Sequence, residues 1–172
     1  MDMDKNSIAK DAFLKSILYL LRETFEGSPD SGSVYLDRGV GIFNTLEKLS
    51  ADEVSREFGS TTIAAQTEHA KFFLDRFLEF MTGGIEKVNW DDSWLIETVN
   101  ETEWNHLRDA VRKSYENALR TFAEIEDWNK DALGEAIAIV AHTAYHLGAI
   151  RQMMKLVTNA ETSTTAVSTV VN

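Results

Sequence analysis

The segment Ala141-His142-Thr143-Ala144-Tyr145-His146-Leu147-Gly148 lies inside a run, residues 130–157, that reads as one long helix. Residues four apart on a helix point about 40° apart and sit about 6 Å apart along its axis. The imidazoles of His142 and His146 can therefore converge on one point. Arg151 and Lys155 fall about 140° to 180° round the wheel from His142, at about 100° per residue. Ala138, Ile139, Ala149 and Met153 share the histidine face instead. Both histidines thus point into the protein. Buried imidazoles need polar partners, because an unpaired buried polar group costs about 1–3 kcal/mol. One metal ion would serve both rings. Two independent histidines, one in the core and one at its edge, is the reading the pair alone leaves open.

Three more long helices surround this one in the sequence. The first covers residues 7–25, with Phe13, Leu14, Ile17, Leu18, Leu21 and Phe25 at three- and four-residue steps. Gly27-Ser28-Pro29-Asp30-Ser31-Gly32-Ser33 breaks it. A long connection follows, with a short helix over residues 40–49 and a capping box at Ser50-Ala51-Asp52-Glu53. The second long helix begins at Ser60-Thr61 and runs to Met81, stopped by Gly83-Gly84. A loop carrying Trp90 and Trp94 leads to the third, residues 101–125. Residues 159–172 are Thr, Ser, Ala and Val without helical pattern and are expected to form a disordered tail. The pattern predicts an all-α protein: a single four-helix bundle domain over residues 1–158, whose long first connection permits a crossover.

The second long helix supplies a third ligand candidate, His69, in Gln66-Thr67-Glu68-His69-Ala70. It lies at the margin of the stripe Phe73, Phe77, Phe80 and Met81, where a lone histidine is ordinarily a boundary residue. Joined to the pair, it completes a set of three imidazoles on one ion, with positions left for water or substrate. Such a set suits Zn or Ni first, with Fe and Mn as further candidates. His106 lies nearly opposite the apolar stripe of its own helix and reads as solvated.

Other motifs fall away. The residue after His142 is Thr143, not the glutamate a zincin protease uses as general base. Glu103-Trp104-Asn105-His106 is one Glu-x-x-His motif, where a di-iron bundle needs two. No glycine-rich phosphate loop and no local Ser-His-Asp signature is present. Glu68, beside His69, and Glu135, two turns before His142, are candidates for carboxylates that orient the ligand rings. A solvated glutamate is the competing reading of each. Arg76 is placed to attract an anionic cofactor or to pair with a local acid, and Trp90 and Trp94 to rim the site or cap the core.

Composition narrows the partners. A net charge of −11 opposes nucleic-acid and anionic-membrane binding, both of which need concentrated basic surface. The chain has no Cys, so any thiol chemistry must come from a small molecule. Absence of Cys and of a basic-then-apolar N-terminus predicts a cytoplasmic protein. No stretch reads as long and apolar enough to span a membrane.

The motifs together resemble the DinB-like (DinB/YfiT) superfamily of bacterial metal-binding four-helix bundles. The likeness covers residues 7–157. It is carried by Leu46-Glu47-Lys48-Leu49-Ser50-Ala51-Asp52-Glu53, by Thr61 to His69, by Trp104-Asn105-His106-Leu107, and by His142 to Ile150. Its most specific element is one histidine in the second helix plus His-x-x-x-His followed by Leu-Gly in the fourth. The resemblance implies His69, His142 and His146 as ligands, a homodimer, and a small-molecule substrate. It also implies transferase chemistry that uses a low-molecular-weight thiol such as bacillithiol or mycothiol. Ala149 stands where the family often has Gln, which puts contacts on the histidine face in question. A non-catalytic metal-binding or stress-response protein on the same scaffold, or a metal-free helical interaction module, are the alternatives.

Overall fold

A computed structural model describes residues 10–30, 32–84 and 86–168, with side chains described as far as residue 158. The elements are α1 (Lys10–Glu26), α2 (Ile42–Leu46), α3 (Ala51–Val54), α4 (Ile63–Met81), a 3-10 helix (Trp90–Trp94), α5 (Glu101–Glu124) and α6 (Lys130–Ser168). Among the described residues the protein is all-α, with one antiparallel bridge between Phe58 and Thr61 and no strand.

Each long helix buries one stripe. Ile17, Leu21 and Phe25 of α1 meet Leu74 and Leu78 of α4, Trp104, Val111, Tyr115 and Phe122 of α5, and Ile139, Leu147, Ile150 and Val157 of α6 in one core. Helices α1 and α4 both pack on α5 and on α6. The first two long helices therefore face each other across the core, and the connection between them crosses from one side to the other.

Specific contacts hold that connection. The buried Glu23 carboxylate accepts the backbone N–H groups of Val34 and Leu36, each at 3.0 Å from Oε1, and of Tyr35 at 3.3 Å. Gly27, at φ 94°, turns the chain out of α1, and a Cβ on Gly41 would come within 2.5 Å of the Gly27 nitrogen. The Ser50 capping box forms as the sequence predicts: Glu53 N donates to Ser50 Oγ at 3.3 Å, and Ser50 N to Glu53 Oε2 at 2.7 Å. A second box starts α5, where Glu103 N donates to Asn100 Oδ1 at 3.0 Å and Asn100 N to Glu103 Oε2 at 2.8 Å. Trp104, fully buried one residue later, donates its indole N–H to the Leu49 carbonyl at 2.9 Å. Thr62 caps α4 by accepting Ala65 N at 3.0 Å, while its hydroxyl donates to Glu97 O at 2.7 Å.

Two expectations shift. Apolar periodicity stops at Val157, yet the backbone of α6 stays helical to Ser168, because nothing after Gly148 is Gly or Pro. The tail expected over residues 159–172 is thus helical in its first part; residues 169–172, like residues 7–9 of the first helix, lie outside the described residues. Between Lys130 and Thr158, α6 is also long and apolar enough to cross a membrane by length and composition alone, contrary to the sequence reading. Here that helix packs on α1 and α4 and carries two of the three clustered histidines.

Candidate metal centre

Helix α4 carries His69 and α6 carries His142 and His146, and packing of α4 on α6 brings all three rings together. One nitrogen from each ring lies within 4.8 Å of the other two. His142 Nε2 is 3.2 Å from His69 Nε2 and 3.2 Å from His146 Nε2. His146 is 3% exposed, and the other two are half-buried. Aromatic rings cover them: Trp94 stacks on His69 at 3.9 Å between centroids, and Phe73 on His142 at 3.5 Å.

The far nitrogens have uneven support. His69 Nδ1 is 2.7 Å from Ser93 Oγ, on the 3-10 helix, and His146 Nδ1 is 2.6 Å from Gln66 Oε1, on α4. His142 Nδ1 is buried without a hydrogen-bond partner. Burial pushes all three imidazoles toward the neutral form. His142 falls to about 4, through burial and then the charge of His69. His146 falls to about 3, through burial and then His142 and His69. His69 is lowered by burial alone. No carboxylate contributes to any of these shifts.

This donor set fits a divalent transition metal. Three neutral imidazoles present nitrogen lone pairs, no thiolate competes, and no fourth donor joins the group among the described residues, which would leave coordination open. A cleft of about 340 Å³ is lined by Thr61, Thr62, Ala65, Trp94 and Glu97 and by none of the three histidines; it meets the centre only through Trp94, whose ring lies on His69.

The three ligand candidates are the residues brought together; the expected orienting carboxylates are not. Glu68 pairs with Lys71 at 3.7 Å, and burial raises its pKa. Glu135 has its pKa raised by burial, and no described hydrogen bond joins it to a histidine. Their place is taken by an amide and a hydroxyl. Gln66 had a legible signal, since it sits three residues before His69 on the same face of α4. Ser93 had none, lying 24 positions from its partner on a 3-10 turn. Arg76 pairs with Glu79 and rests over Phe72, away from the centre. His106 is exposed on α5, and Glu103 is occupied in its capping box. Trp94 packs on a ligand ring while 41% exposed, so it rims the centre rather than capping the core. Ala149 is half-buried.

No family model, curated protein or solved structure matches the chain.

Proposed function

We propose that this chain is a metal-binding protein of the DinB/YfiT-like four-helix-bundle kind, working as a metal-dependent transferase on a low-molecular-weight thiol. The observation that carries the reading is the meeting of three imidazole Nε2 atoms, with His142 Nε2 at 3.2 Å from each of the others. Neutral nitrogens so close, in a half-buried place with no acid to charge them, are the makings of a cation site. A divalent ion held there, Zn or Ni first, supplies Lewis acidity sufficient to keep a small thiol as thiolate.

The chain's own residues do the rest. His69 holds from α4 and His142 and His146 from α6, so the two helices form opposite jaws. Trp94 and Phe73 cover the ring faces and keep water from them. With no Cys in the chain, the thiol is the substrate's and not the protein's.

Elemental analysis of protein purified without an affinity tag tests the binding claim. One metal per chain is expected, with a large loss in His142→Ala; metal-free protein whose melting ignores chelator would defeat it. Thiol conjugation of an electrophile panel then separates catalysis from binding alone. Wild type should exceed His69→Ala, whereas equal background rates would favour a non-catalytic metal-binding protein.

A further inference from the structure

Two of the three histidines are not free to choose which nitrogen carries the proton. Gln66 Nε2 donates to Thr61 Oγ1 at 3.1 Å. Thr61 Oγ1 lies 3.4 Å from the Thr62 carbonyl and accepts from Gln66 in this arrangement. With its NH2 toward Thr61, the amide presents its oxygen to His146, 2.6 Å away. An amide oxygen cannot donate. His146 therefore carries its hydrogen on Nδ1 and keeps a lone pair on Nε2.

The same logic applies on the other side. Ser93 gives its single hydrogen to the Trp90 carbonyl at 2.6 Å, so it accepts from His69 Nδ1 at 2.7 Å. His69 Nε2 is again left with a lone pair. Two such lone pairs face His142 Nε2, 3.2 Å from each, so in the metal-free protein that nitrogen carries the hydrogen and donates it inward, while its Nδ1 is buried without a partner.

We infer that Gln66 and Ser93 are positioning residues for the centre. Acting through His146 and His69, they lock both rings in the Nδ1–H tautomer that aims two Nε2 lone pairs at one point. The Ser93 relay ends on the Trp90 carbonyl, so on that side the backbone itself sets the proton position. The inference rests on the three-histidine reading of function, and it predicts a property of the metal-free protein as well.

The test is nitrogen NMR of the imidazoles in chelator-treated protein at neutral pH, paired with zinc affinity. Wild type should show Nδ1–H for His69 and His146. Gln66→Leu should release His146 into mixed or Nε2–H form and weaken zinc binding about 10- to 100-fold, whereas Gln66→Glu, which keeps an acceptor, should retain both. Ser93→Ala should do to His69 what Gln66→Leu does to His146, and Thr61→Val should mix the His146 tautomers while melting stays near wild type. His146 found as Nε2–H in wild type, or Gln66→Leu with unchanged tautomer and zinc affinity within about twofold, would overturn the inference. Wild type with the stated tautomers but no zinc uptake would instead overturn the metal reading and leave the tautomer assignment standing.

Discussion

His146 shows what a buried imidazole costs the metal-free protein. Burial lowers its pKa to about 3, and that of His142 to about 4, from an unfolded value of 6.5. The unfolded chain therefore takes up protons first as pH falls, and stability declines with acidification from pH 6.5 downward. In chelator-treated protein, the urea midpoint of wild type should drop relative to His146→Leu as pH is lowered from 7.5 to about 5. A constant difference across that range would contradict the account. Trp104 permits a second single-residue prediction. Its indole donates to Leu49 O from a fully buried site, so Trp104→Phe leaves that carbonyl unpaired and should cost about 1–3 kcal/mol in urea unfolding.

At the scale of elements, helix starts are built from short sequence signals. Asn100 and Glu103 reproduce at α5 the arrangement Ser50 and Glu53 make at α3. Asn100→Ala should cost about 0.5–2 kcal/mol, read from the urea midpoint, with zinc binding unchanged because α5 carries no ligand. These local features show why part of the protein was readable. The histidine pair of α6 follows from helical period, and the Ser50 box from spacing alone. Of the two readings of Glu68, the orienting carboxylate is not the one found: consecutive helix residues point about 100° apart, and Glu68 pairs with Lys71, which also pairs with Asp75, rather than with the ring of His69. Gln66, three residues away, shares that face; Ser93 reaches His69 only through the path of a loop, which no periodicity encodes. The end of α6 was misplaced for a related reason: loss of an apolar stripe marks where burial stops, not where the backbone ceases to be helical.

Across the whole molecule, the three candidate ligands come from two helices far apart in the chain. His69 and the α6 pair are separated by 73 positions or more, so the centre exists only once α4 has packed on α6. A bound ion would then clamp two helices of one core and stabilise the folded state by linkage. Zinc at a hundred times its Kd should add about 2.7 kcal/mol, seen as a rise in Tm reversed by chelator and absent in His142→Ala. The crossing connection between α1 and α4, held by Glu23, leaves the face of α4 that meets α6 free for this role.

If three imidazoles form one coordination sphere, the bound metal itself reports it. X-ray absorption on untagged protein carrying one equivalent of zinc measures it directly. Three histidine nitrogens at about 2.0–2.1 Å are expected, with the remaining position filled by a light atom from solvent. A sphere with fewer than three imidazoles, or one completed by protein carboxylates, would contradict it.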